Sequence, residues 1–105
     1  MPTATIAGRE VHINEEGFMT DPTEWSDDIA EVLANQIGID TLTEDHWKVL
    51  RFIREDFDAQ GETPTLRRVS TVGGVPTKEL YTLFPKKPAR KMAYVAGLPK
   101  PKGCI

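Results

Sequence analysis

The stretch from Thr43 to Gly61 constrains the fold of this chain more than any other. Thr43 is suited to cap a helix start, Glu44 and Asp45 place negative charge at the positive end of the helix dipole, and Gly61 supplies a stop. Between them Val49, Leu50, Ile53 and Phe57 recur at helical spacing. A helix over about 44–60 therefore carries one apolar stripe that other elements have to cover. His46 lies on the same arc, beside Trp47, and reads better as a packed core residue than as a catalytic base. Trp25 and Trp47 likewise read as core anchors rather than ligand platforms.

The remaining elements are shorter. Ala4 to Ala7 and Val11 to Asn14 are β-favouring runs divided by Gly8-Arg9, which predicts a hairpin whose buried face holds Ile6, Val11 and Ile13. Asp21-Pro22 makes a turn before a helix over about 25–37, with Trp25, Ile29, Val32, Leu33 and Gln36 on one arc. Ser26 or Thr23 is its N-cap, and Gly38 ends it. Thr63-Pro64 has the order of N-cap then N1 proline and opens a short helix to Val72, closed by Gly73-Gly74. Thr77 caps another, carrying Leu80, Tyr81 and Leu83, and Ala89 to Ala96 forms a last helix or turn. The fold class is mainly α with a small N-terminal β-hairpin (α+β), a compact helical domain that includes a helix-turn-helix-like pair. The domain is expected over residues 1–96, with a flexible C-terminal arm over residues 97–105.

Net charge is −3, but the mean hides a division. Residues 1–62 hold 15 of the 16 acids and 4 of the 13 bases, a net of −11, whereas residues 63–105 carry a net of +8. Such asymmetry either neutralises itself inside one monomer or marks a docking face for an anionic partner. The longest apolar run, Met92 to Leu98, is far shorter than the roughly 20 residues a bilayer needs, so no membrane span is expected. One cysteine excludes a disulfide framework, and with only His12 and His46 beside it no metal site is expected. No phosphate-loop or dinucleotide glycine pattern occurs, so no cofactor is expected either. The expected compartment is the cytoplasm.

The chemistry concentrates in the tail Leu98-Pro99-Lys100-Pro101-Lys102-Gly103-Cys104-Ile105. Its alternate prolines forbid a helix and favour an extended, semi-rigid arm, which from Gly97 reaches roughly 25 Å at about 3 Å per residue. The only thiol, Cys104, sits on that arm beside Gly103. Lys100, Lys102 and the cluster Lys86, Lys87, Arg90 and Lys91 are cations that favour thiolate, while the nearby terminal carboxylate opposes it. A thiolate on an arm can accept a sulfur atom as a persulfide and pass it on by thiol exchange, with no second thiol.

The run Ala96-Gly97-Leu98-Pro99-Lys100-Pro101-Lys102-Gly103-Cys104-Ile105 closely resembles the C-terminal arm of the DsrC/TusE family of sulfur-relay proteins. Glu15-Glu16-Gly17-Phe18, Leu42-Thr43-Glu44-Asp45-His46-Trp47, Phe52-Ile53-Arg54 and Leu80-Tyr81-Thr82-Leu83-Phe84-Pro85 match the same family. The resemblance implies a mostly helical domain with an N-terminal hairpin, and a sulfur carrier in which Cys104 holds sulfane sulfur as a persulfide. It implies protein partners, a sulfur donor and a sulfur acceptor, in transfer-RNA thiolation or dissimilatory sulfur metabolism; direct nucleic-acid binding and membrane attachment are not expected. If sulfur transfer counts as catalysis, the chain is a sulfurtransferase-like carrier and Cys104 its one catalytic residue. Gly97, Pro99, Lys100, Pro101, Lys102 and Gly103, with Arg90 and Lys91, are expected to shape the arm and dock partners.

Two departures from the family pattern bear on function. In the sulfite-reductase branch a second cysteine lies eleven positions before the terminal one, and that position here is Ala93, which leaves one-thiol carriage. The segment between Val72 and Leu80 is also shorter than is usual there. The alternative reading is a DNA-binding redox regulator using residues 63–84 as a helix-turn-helix, but Arg67, Arg68 and Lys78 are few for reading phosphates and bases.

Overall fold

A computed structural model describes residues 3–100 of the chain. Strands β1 (Thr3–Ile6) and β2 (Arg9–His12) pair antiparallel with Ala4 opposite Val11 and Ile6 opposite Arg9. The turn falls on Ala7-Gly8, one residue earlier than expected, with both residues left-handed (φ 53° and 77°). A two-residue hairpin turn of this kind needs positive φ at both positions, and the right-handed twist of the strands favours it. Val11 and Ile6 are buried against α1 (Asp27–Gln36) with Met19, Ile29 and Leu33, and Ile13 is half-buried. β2 stops short of Asn14 because the Asn14 side chain bends the chain, its Oδ1 accepting from the backbone N–H groups of Glu16 (2.9 Å) and Phe18 (3.0 Å).

α1 begins two residues later than its apolar arc suggested. Asp21 Oδ1 accepts from the N–H and hydroxyl of Thr23 and sets a 3-10 turn over Pro22–Glu24, so Trp25 stays extended outside the helix. Ser26 occupies the N-cap, but its hydroxyl accepts from Arg9 Nη1 at 2.9 Å instead of capping. At the other end Gly38 (φ 90°) and Ile39 donate backwards to Asn35 and Ala34, the paired reverse bonds of a Schellman turn.

α2 (Glu44–Gln60) has the bounds its sequence requires, with Thr43 as N-cap and Gly61 left-handed at its end. Val49, Leu50 and Ile53 are buried and Phe57 is half-buried. α3 (Leu66–Thr71), α4 (Thr77–Leu83) and α5 (Pro88–Val95) follow. α4 takes Pro76, not Thr77, as its N-cap, and α5 starts one residue before the expected Ala89. α5 packs against α1, α2 and α4 and buries Pro88, Met92, Ala93 and Val95, with Met92 and Val95 in a core shared with Leu50, Ile53, Leu80 and Phe84. Each fully buried large side chain there stabilises the fold by about 1.5–3 kcal/mol relative to exposure. Among the described residues no helix is long and apolar enough to cross a membrane.

α3 joins α2 through a bidentate ion pair that the sequence did not announce. Arg68 Nε and Nη2 donate to the two oxygens of the buried Asp56 at 2.7 and 2.8 Å, and these bonds hold the Asp56 carboxyl below its ordinary range. A depressed carboxyl pKa contributes stability above the unfolded value and loses it as pH falls through the folded value. The melting temperature of Asp56→Asn should therefore fall well below that of the native chain at pH 7. The gap should close as both are titrated below about pH 4, as thermal unfolding across pH will measure.

Candidate functional site

The site is the point where the chain leaves α5. The last turn of α5 exposes carbonyls that the helix itself cannot satisfy. Gly97, left-handed at φ 70°, donates to Tyr94 O (3.2 Å), and Leu98 donates to Ala93 O (3.0 Å), which completes a second Schellman turn. The carbonyls of Val95 and Ala96 are taken by side chains from far along the chain. Trp25 Nε1 donates to Val95 O at 2.9 Å, and Arg54 Nη1 donates to Ala96 O at 2.6 Å. Arg54 Nη2 also donates to Pro22 O (2.9 Å), and its guanidinium stacks 4.2 Å over the Trp25 ring. Burial lowers the Arg54 pKa from its ordinary high value, with Asp58 opposing, yet a guanidinium keeps its charge at any physiological pH. Hydrogen bonds from a charged donor contribute about 1.5–3 kcal/mol each, against about 1 kcal/mol for the neutral indole bond, so Arg54 is the stronger half of this grip.

The grip extends past the helix. Leu98 is 1% exposed and belongs to the main core. The Thr63 hydroxyl, itself buried, donates to Pro99 O at 2.8 Å. This corrects two expectations. Thr63 does not open α3; with its hydroxyl committed to Pro99, the cap passes to Thr65, whose Oγ1 accepts from Arg68 N. Nor does the arm begin at Gly97, since residues 97–99 are held to the body. Of the expected arm, Pro101, Lys102, Gly103 and Cys104 lie outside the described residues, as does Ile105.

Lys100 ends the described chain beside Glu16. Glu16 Oε2 accepts from Arg90 Nη2 (2.9 Å) and from Lys100 Nζ (3.3 Å), so one carboxylate ties α5 to the departing segment. Lys91 Nζ donates to the carbonyl of Pro85. Next to them lies an open groove of about 520 Å³ lined by Phe18, Ile37 and Tyr94 and by Lys86, Lys87, Arg90 and Lys91. Phe18 and Tyr94 meet edge to face at 5.8 Å, and Arg90 lies 5.6 Å from the Phe18 ring centroid. Burial pushes the Tyr94 phenol up, and its hydroxyl donates to Gln36 Oε1 at 2.8 Å.

Other candidates resolve into structure. His46 Nδ1 accepts from Thr43 N (3.1 Å), so the ring hydrogen sits on Nε2 and donates to Leu83 O (2.8 Å). Together with an edge contact on Phe84 at 5.2 Å, this makes His46 the reciprocal partner of the Thr43 cap and a tie to α4. In the helix pair α3–α4, Arg68 is committed to Asp56, which leaves Arg67 and Lys78 as exposed bases there. Ala93 is fully buried in α5. The residues that sequence reasoning missed are Trp25, Arg54, Thr63 and Glu16. Arg54, a cation one position past the inner stripe of α2, and Thr63, a second candidate cap two residues from Thr65, were the available signals.

The family described as DsrC like protein matches residues 5–105 of the chain. The chain belongs to the DsrC-like family. Sulfurtransferase TusE of Yersinia pseudotuberculosis is 40% identical to it, covering 93% of this chain and 96% of that protein. The dissimilatory-type sulfite reductase subunit gamma of Nitratidesulfovibrio vulgaris is 32% identical and both chains are covered completely. A crystal structure described as dissimilatory sulfite reductase I (DsrI) superposes with a TM-score of 0.87 at 32% identity, over 99% of this chain and 100% of that one. The expected mainly helical architecture with an N-terminal hairpin is the one observed.

Gly97 has two reasons to be glycine. A Cβ there would lie 2.5 Å from Trp25 Cδ1, whereas at Gly38, in the same turn geometry, nothing lies within 4 Å. Gly38→Ala should cost only the left-handed backbone term, about 1–2 kcal/mol. Gly97→Ala should cost distinctly more and shift the Trp25 fluorescence, both readable in parallel denaturant titrations.

Proposed function

We propose that this DsrC-like chain is a sulfur carrier that loads one sulfane sulfur on Cys104 and passes it between two proteins. The family match running to residue 105 carries this reading, because it takes in the Pro-Lys-Pro-Lys-Gly-Cys motif that bears the one thiol. The Cys104 thiolate attacks the outer sulfur of a donor persulfide, R–S–SH. The S–S bond of the donor breaks, the donor leaves as thiolate, and Cys104 becomes Cys104–S–SH. The same exchange run onto an acceptor thiolate returns Cys104 to its starting state, so no oxidant is consumed.

The body of the protein supplies a fixed origin for this exchange. Trp25, Arg54, Thr63 and the buried Leu98 hold the chain as far as Pro99. Pro101, Lys102 and Gly103 then separate that anchor from the thiol, and the lysines guide it toward an electronegative pocket. With Ala93 where the reductase branch has its second cysteine, Cys104 has no thiol partner within the chain, and the cycle runs through persulfide alone. This favours a relay of the transfer-RNA thiolation kind, or a one-cysteine role in sulfur oxidation, over service to a sulfite reductase. A reducing cytoplasm keeps such a lone thiol available. The donor and acceptor are proteins of a sulfur relay.

Intact-mass measurement after exposure to a small persulfide donor should find one added sulfur atom, removed by reductant and absent from Cys104→Ser. A native chain that takes up no sulfur under these conditions would overturn the proposal.

A further inference from the structure

Because residues 97–99 are held to the body, the reach available to Cys104 is short. Cys104 lies four positions beyond Lys100, a span of at most about 14 Å. A protein that exchanges sulfur with Cys104 has to press its own surface onto the face around Lys100. That face carries the groove between α5 and the Glu16–Phe18 segment, joined to Lys100 through Glu16.

The groove has a definite chemistry. Its floor is apolar, from Phe18, Ile37 and Tyr94, and its rim holds four cations, Lys86, Lys87, Arg90 and Lys91, against the single carboxylate of Glu16. Glu16 is already shared by Arg90 and Lys100, and among the described residues the side chains of Lys86 and Lys87 have no ion-pair partner. Both lysines are left-handed, at φ 58° and 49°, a costly backbone for two successive residues with side chains.

We propose that this groove docks an acidic peptide segment bearing an apolar side chain, presented by the protein that exchanges sulfur with Cys104. The inference rests on the carrier reading for the identity of that protein, and on charge and shape for the segment. Carboxylates on the segment would meet the unpartnered rim lysines, and its apolar side chain would cover the floor at Ile37 and Tyr94. A nucleic acid fits less well, since a phosphate backbone would meet the lysines but leave the apolar floor at Ile37 and Tyr94 uncovered.

The test is an NMR titration of the full chain, labelled at its amides, with a synthetic peptide in which two glutamates on each side flank a Leu-Phe pair. Its glutamine counterpart and a transfer-RNA mixture are run alongside. The acidic peptide should perturb the amides of Glu16, Phe18, Ile37, Arg90 and Tyr94, weaken with added salt, and bind at least about tenfold less well to Lys86→Glu/Lys87→Glu. The amide spectrum of that variant reports whether it is folded, and a lysine-flanked peptide should prefer it to the native chain. No binding of the acidic peptide, unchanged affinity in the folded variant, or shifts elsewhere would overturn the proposal, as would transfer RNA taking the same amides in its place. Sulfur uptake by the native chain is measured separately. If uptake fails while the peptide binds as expected, the carrier reading falls and the groove stands.

Discussion

The grip of Trp25 and Arg54 on the carboxyl end of α5 is the interaction on which the rest of the site depends. Val95 and Ala96 present carbonyls at the end of a helix that is buried on three sides, where water cannot easily satisfy them. Leaving such a group unpaired costs about 1–3 kcal/mol, so the two side chains stabilise the helix end by as much as they position it. The same contact dictates that residue 97 is glycine, since the Trp25 ring occupies the space of a side chain. From that turn Leu98 enters the core and Pro99 meets Thr63, so the course of the chain as far as Pro99 is set by packed, hydrogen-bonded groups.

The charge division along the chain finds two different uses. Part of it is neutralised within the monomer, because Asp56 with Arg68 and Glu16 with Arg90 and Lys100 each join the acidic half to the basic half. The lysines at 86 and 87, which have no ion-pair partner among the described residues, gather beside the groove next to Lys100. On the proposed reading, a one-thiol carrier gains from such a surface. Such chemistry would need only a thiolate brought close to another sulfur, so the body would serve to choose the partner and hold it within reach of Cys104.

Much of the helical order was legible from local chemistry. Thr43, Glu44, Asp45 and Gly61 bound α2 correctly, and Gly38 ended α1, because caps act on backbone groups within a few residues. The misplacements were competitions between local acceptors. Thr63 lost its cap to Thr65 when Pro99 claimed its hydroxyl, and Ser26 gave its oxygen to Arg9. Trp25 was legible as an anchor but not as a hydrogen-bond donor to α5, and Arg54 was a charge on a helix border with no visible purpose.

By itself the sequence determined the elements, their order, the glycine that reverses the chain after α5, and a single thiol on a proline-spaced segment beyond it. Tertiary structure alone decided that this segment starts from Pro99 and not Gly97, and that Glu16 joins it to a cationic groove. The physical reason is range. Capping and periodicity operate over one or two turns, whereas Trp25, Arg54, Thr63 and Glu16 find partners 70, 42, 36 and 84 positions away. Three of those partners are backbone carbonyls, which every residue carries alike, so no side chain marks in advance which carbonyl will accept.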